Sequence, residues 1–253
     1  MANKNAGRFT WHELMSPELD KATAFYAALV GWTHQDMPMG PGMTYRIFKT
    51  GDRQVAGAMT AQPGQPNAWL VYVGSENADA SVASVKEHGG NVIVPPTTVP
   101  DMLRFAIAMD PQGAAFGILQ GLGPGADAPP PAPAPSTFVW DELHTKDQAA
   151  AGKFYGHVFG WTGKVGEGDP MKYWHWMHAG HDIGGMMDLM SPHAPPHWLA
   201  YLGVTDVDAS TAKVRELGGK VHMDPMHIEK VGKFSVIEDP TGAHLALFRS
   251  ARQ

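Results

Sequence analysis

The chain has 253 residues, a formal net charge of -6, 43% hydrophobic and 17% charged residues, and no cysteine. Those values fit one large or two ordinary domains, exclude disulfide frameworks and thiol catalysis, and offer no basic footprint for nucleic acid. No window reaches the roughly 18 to 20 apolar residues of a membrane span, and Lys4 and Arg8 are followed by no apolar stretch, so the expectation is a cytoplasmic protein without a secretory signal or membrane partner.

In chain order, residues 9–15 predict a strand and 18–30 a helix stopped by Gly31, because glycine just past a helix end accepts the left-handed cap conformation. Strands follow over 45–50 and 55–60, the second weakened by Gly57. A strand over 68–73 leads to a helix over 78–88 halted by Gly89 and Gly90, and strand candidates over 91–94, 103–109 and 115–120 close the segment. Residues 121–136 hold six prolines among glycines and alanines and predict a linker. Its proline-rich half should be extended, at about 3.1 Å per residue. The series then returns: strand 138–144, helix 146–159 with Gly160, strands 172–179 and 183–189, strand 198–204, helix 207–217 with Gly218 and Gly219, and strands 220–223, 233–238 and 244–249.

The return is in register. Phe9, Trp11, Glu13, Phe25, Tyr26, Gly31 and Trp32 recur 129 residues later as Phe138, Trp140, Glu142, Phe154, Tyr155, Gly160 and Trp161, and the D-P-x-G at Asp110 recurs at Asp239. Such a period is too long for a solenoid. The fold class is therefore α+β, two tandem modules over 8–120 and 137–250, each reading β-α-β-β-β twice over. Histidine is uneven between them: His12, His34 and His88 lie in the first copy, and the other ten of the 13 in the second. The copies are expected to differ in chemistry.

A helix ending F-Y-x-x-x-x-G-W, with D-P-x-G before a final strand, resembles the vicinal oxygen chelate superfamily, which includes glyoxalase I, extradiol dioxygenases and bleomycin-resistance proteins. The resemblance covers both copies. It implies that each module curls a mixed sheet into a cup with helices outside, and that metal ligands project into the cup from three places. In this sequence those places fall on Trp140, about Leu199 and Ala246 in the second copy, and on Trp11, about Leu70 and Gly117 in the first. None of the six side chains can ligate a metal.

Side chains two apart on a strand share a face, so the neighbours Glu142, His197 and His244 would point the same way as the lost ligands. Two histidines with a carboxylate suit Fe, Mn or Zn. The first copy has Glu13, Ala68 and Ala115 at the matching places, which equally suits a structural role for the shared glutamate. His175, His178 and His181 read as solvated histidines near a hairpin turn, and Pro192, His193 and His197 as part of a rim loop. Trp140, Trp174 and Trp198 are candidate walls for a planar ligand, with Met187 as an adaptable apolar lining and module core as the alternative. Asp188 is either a polar anchor or a turn residue.

These readings give two functional expectations. One is binding or transformation of a small planar or aromatic molecule in the second cup without the usual metal or any other cofactor, using Glu142, His197 and His244 for hydrogen bonding or proton transfer. The other is a divalent-metal-dependent lyase, isomerase or dioxygenase using the same three residues. A small-molecule ligand is the expected partner, nucleic acid is not, and a monomer is favoured over a homodimer because paired modules cover each other's edges.

Overall fold

The computed structural model describes residues 5–40, 43–124, 132–165, 172–191 and 193–251. The first module runs β1 (Phe9–Ser16), α1 (Leu19–Val30), β2 (Thr33–Gly40), β3 (Met43–Thr50), β4 (Arg53–Thr60), β5 (Ala68–Gly74), α2 (Ala78–Glu87), β6 (Asn91–Val99), β7 (Leu103–Met109) and β8 (Ala115–Gly121). The second repeats the order as β9 (Phe138–Thr145), α3 (Gln148–Phe159), β10 (Thr162–Val165), β11 (Trp174–His178), β12 (His181–Asp188), β13 (His197–Gly203), α4 (Val207–Glu216), β14 (Lys220–Ile228), β15 (Gly232–Glu238) and β16 (His244–Ser250). Each module forms one eight-stranded mixed sheet, ordered β2-β3-β4-β1-β5-β8-β7-β6 and β10-β11-β12-β9-β13-β16-β15-β14. The β-α-β-β-β unit does occur twice per module.

Helix ends follow their chemistry. Asn77, Asp147 and Asp206 cap α2, α3 and α4 by accepting the backbone N–H three residues on, whereas α1 starts at Glu18 without a side-chain cap. Gly31 and Gly160 close α1 and α3 with φ of 73° and 68°. The strand β2 had no clear sequence signal, because its THQDMPMG is almost wholly exposed and lacks an apolar face. Strands β6 and β14 run further than their first four residues suggested, tolerating Pro95, Pro96 and Pro225 by register shifts at a sheet edge. The linker's stretch 125–131 lies outside the described residues.

Packing does not follow the module boundary. The chain divides into two compact units, one made of Met1–Thr10, Val71–Pro131 and Trp140–Trp198, the other of Trp11–Leu70, Ala132–Val139 and Leu199–Gln253. Each unit thus combines one β-α-β-β-β half from each module.

In the unit that contains α1 and α4, Tyr26 donates its hydroxyl to Asp239 Oδ2 (2.9 Å) and accepts from Trp69 Nε1 (2.8 Å). Trp32 Nε1 donates to the Ser136 carbonyl at 2.8 Å, which anchors the described end of the linker. The other oxygen of Asp239 accepts the backbone N–H groups of Thr241, Gly242 and Ala243 and so shapes the D-P-T-G turn. An apolar core of Leu14, Phe25, Phe48, Leu202, Ile237 and Leu245 surrounds this contact.

The other unit repeats the device with its own residues. Tyr155 donates to Asp110 Oδ2 (3.2 Å) and accepts from Trp198 Nε1 (3.0 Å), and Trp161 Nε1 donates to the Gly7 carbonyl (2.7 Å). Asp110 Oδ1 accepts the N–H groups of Gln112, Gly113 and Ala114. Burial, then the adjacent aspartate, pushes both tyrosine hydroxyls well above their ordinary range, so they remain protonated donors. The two motifs that repeat most plainly in the sequence are therefore partners: F-Y-x-x-x-x-G-W of one module grips D-P-x-G of the other.

Candidate functional site

Alternation along β9 puts Trp140, Glu142 and His144 on one face of that strand. The neighbour β12 runs parallel to it, with Gly185 opposite Glu142 and Met187 opposite His144. Tyr173, just ahead of β11, reaches the same place: its hydroxyl donates to Glu142 Oε2 at 2.6 Å and accepts from Trp140 Nε1 at 2.9 Å. His144 Nε2 lies 2.8 Å from Glu142 Oε1. Each oxygen of the buried carboxylate thus meets a donor, which holds the acid, the phenol, the indole and an imidazole in fixed orientations.

Gly185 makes the arrangement sterically possible. A Cβ there would stand 1.9 Å from the Tyr173 hydroxyl oxygen, so any side chain would expel the phenol. Burial, followed by the charge of Glu142 and the hydrogen bond to it, pushes the Tyr173 hydroxyl far above its usual range. It therefore acts as a donor and not as a phenolate.

Two more imidazoles join the network. His197, at the start of β13, stacks on His144 with ring centroids 4.8 Å apart and an 18° interplanar angle. Its Nδ1 is 2.9 Å from the Pro195 carbonyl, which can only accept, so Nδ1 carries the hydrogen and Nε2 is the basic nitrogen. His175 packs edge-on to Trp140 (6.4 Å) and Tyr173 (5.2 Å), and its Nδ1 is buried without a hydrogen-bond partner. Such a group carries an unmet polar demand.

The first module holds the framework without the imidazoles. Trp11 Nε1 donates to the Tyr45 hydroxyl at 2.8 Å, Tyr45 hydrogen-bonds Glu13, and a Cβ on Gly57 would stand 1.9 Å from the Tyr45 hydroxyl. Met15, Ile47 and Ala68 occupy the places of His144, His175 and His197. The indole–phenol–carboxylate trio is thus common scaffolding, and the second copy adds titratable groups to it.

Several sequence expectations change at the level of single residues. Trp198 faces the opposite side of β13 from His197 and sits in the aromatic core on Tyr155, 7% exposed, so it is no ligand wall. Trp174 alternates away from Tyr173 and His175, packs with Trp176, and lies over Gly152 of α3 and Gly163 of β10. Tyr173 and His175 are the residues of this segment that meet Trp140. His175 and His178 lie on β11, within the strand expected over 172–179, but are half-buried and not solvated; His178 covers Gly7, and the turn is made by Ala179 and Gly180 with His181 opening β12. Met187 lies opposite His144 in the register of β12 on β9. Asp188 accepts from Gln148 Nε2 at 2.8 Å.

His244 belongs to the other compact unit, with His222 and Glu238. Among the described residues, the group of three or more histidines and carboxylates with all ligand atoms within 4.8 Å is His222, Glu238 and His244, not Glu142, His197 and His244. His144 was overlooked, although its spacing of two from Glu142 carried the signal that singled out Glu142 itself.

The three places in the second copy that the superfamily resemblance assigns to metal ligands fall on strands. Trp140 lies on β9 with its only polar hydrogen committed to Tyr173, and Leu199 and Ala246 are buried apolar residues of β13 and β16. This donor set does not fit a metal ion.

The chain belongs to the Glyoxalase/Bleomycin resistance protein/Dioxygenase superfamily, which matches residues 8–118 and again 138–247. The protein named "Putative glyoxylase CFP32" of Mycobacterium tuberculosis is 33% identical over 254 residues, covering 98% of this chain and 96% of that one. The "Anthracycline biosynthesis protein DnrV" of Streptomyces peucetius is 31% identical over 258 residues, covering 94% and 91%. Among solved structures, the Mn(II)-bound glyoxalase from Novosphingobium aromaticivorans superposes with a TM-score of 0.67 at 16% identity, covering 96% of this chain and 82% of that one. The 2,3-dioxygenase LapB from Pseudomonas sp. KL28 gives 0.65 at 15% identity, covering 98% and 93%. At such identities the superpositions establish the fold.

Proposed function

We propose that the second module binds a small planar or aromatic organic molecule against Trp140, Tyr173 and His175, and acts on it by proton transfer through His144 and His197 without a metal at the superfamily's usual position. The observation that carries this reading is the contrast between two otherwise equivalent trios. Trp140, Tyr173 and Glu142 are joined by three imidazoles, whereas beside Trp11, Tyr45 and Glu13 the matching positions hold Met15, Ile47 and Ala68. Glu142 orients His144 through Nε2, and a carboxylate-oriented imidazole can move protons near neutral pH. A flat indole with neighbouring ring edges favours planar ligands. The relatives named for anthracycline biosynthesis support the same ligand class, anthracyclines being planar polycyclic molecules.

The test is a tryptophan-fluorescence titration with a panel of planar aromatics, anthraquinone among them. The expected result is saturable binding that weakens at least tenfold in Trp140→Ala and in the double variant His144→Ala/His197→Ala, and persists in Trp11→Ala. Equal affinities in all four proteins, or no saturable ligand in the panel, would overturn the reading.

The competing reading is a metal-dependent lyase, isomerase or dioxygenase that uses Glu142 and His197 as ligands. The Mn(II)-bound glyoxalase among the structural neighbours favours it. The commitment of both Glu142 oxygens to Tyr173 and His144 weighs against it. Metal analysis of wild type and His197→Ala separates the two, since only the metal-dependent reading predicts a stoichiometric ion lost with that imidazole.

A further inference from the structure

We infer that His222, Glu238 and His244 form a binding site for one divalent transition ion of the zinc, nickel or copper group. This inference does not rest on the proposed function, because its residues lie in the other compact unit.

Three neighbouring strands build the site. Glu238, the last residue of β15, pairs directly with His244, the first of β16, so their side chains project from the same face. On β14 the register with β15 shifts between Val221 and Met223, and His222 is the extra residue at that irregularity. A bulge re-aims a side chain out of plain alternation, and here the imidazole meets Glu238. His222 Nε2 lies 2.8 Å and His244 Nε2 3.6 Å from Glu238 Oε2, and the two rings stack at 4.7 Å. A tetrahedral ion with bonds of about 2.0 to 2.2 Å needs ligand atoms about 3.3 Å apart. The two spacings to Glu238 bracket that value and all three ligand atoms lie within 4.8 Å of one another, so side-chain adjustment on the order of an ångström brings them to tetrahedral spacing.

The surroundings support ligation. Lys220 Nζ holds Glu238 Oε1 at 2.6 Å and leaves Oε2 turned to the two histidines. Two imidazoles and a carboxylate suit the zinc, nickel and copper ions better than calcium or magnesium, and leave coordination positions open to water or an oxygen ligand. In the first module His222, Glu238 and His244 correspond to Ile93, Met109 and Ala115, so the site is confined to the second copy.

The test is a Zn2+ titration of the tag-free, chelator-stripped full chain in competition with a chromogenic chelator, alongside Co2+ absorption spectroscopy. One Zn2+ per chain is expected, with affinity falling at least tenfold in His222→Ala, His244→Gln and Glu238→Gln and unchanged in His197→Ala. Far-UV circular dichroism identifies any variant that fails to fold, and the half-exposed His222 and His244 can each stand in for the other. Absence of stoichiometric binding, retention of affinity in both histidine variants, or its loss in His197→Ala would overturn the inference.

Discussion

Tyr173 and Tyr45 show how one residue type serves two purposes. Each bridges an indole and a carboxylate, but beside Tyr173 stand His144, His175 and His197, where the first copy has Met15, Ile47 and Ala68. Removing its hydroxyl in Tyr173→Phe deprives Trp140 of an acceptor and Glu142 of a donor. The expected cost is about 1–3 kcal/mol in urea denaturation, the range for a buried partner left unmatched. His178 gives a pH signature at the same scale. Burial, then the charge of Arg8, holds its pKa below the ordinary 6.5. The unfolded chain therefore binds more protons than the folded one as pH falls through 6.5, and stability should drop on that side. Thermal denaturation at roughly pH 7.5 and 5.5 should show this drop, and His178→Gln should make it shallower.

At the scale of elements, the sequence was most informative where local chemistry and packing agree. Both α1 and α3 end at their glycines, and β1 and β9 lie where alternation put them, because cap geometry and a half-buried face depend on nearby residues. The edge strand β2 was illegible because an exposed strand has no burial pattern to betray it. Within the site, Glu142 could be found from spacing. Tyr173, by contrast, falls in the strand expected over 172–179, but its partners come only from the register of β11 on β12 and of β12 on β9, which one strand's alternation does not show. That register depends on Gly185, so Gly185→Ala should displace Tyr173 and reduce both stability and the ligand affinity measured by fluorescence. The matching Gly57→Ala should lower stability alone. Asp147→Ala, which removes the α3 cap, should cost about 1 kcal/mol in the same denaturation assay without changing ligand affinity.

At the scale of the whole molecule, the duplicated sequence is not a pair of independent bodies. Both Tyr–Asp clamps join residues from different copies, while Trp32 holds the linker end at Ser136 and Trp161 holds Gly7, just ahead of the first copy. Residues 137–250 made alone should consequently lack the partners of Tyr155, Trp161 and Asp239, and stay incompletely folded. Co-expressed with residues 1–124, they should be rescued as a one-to-one complex, a result that size-exclusion chromatography and near-UV circular dichroism would show. Two well-folded, non-associating fragments would refute this account of the clamps.

Those reciprocal grips have an evolutionary corollary. A single ancestral copy pairing with itself would have presented two identical pockets, and any change in one would have appeared in both. Once fused, the gripping residues of each half stay answerable to the other half, whereas residues that grip nothing are released from that obligation. Met15 facing the fate of His144, and Ala68 that of His197, read as the outcome: a shared chassis under joint custody, with one seat refitted and the other left plain.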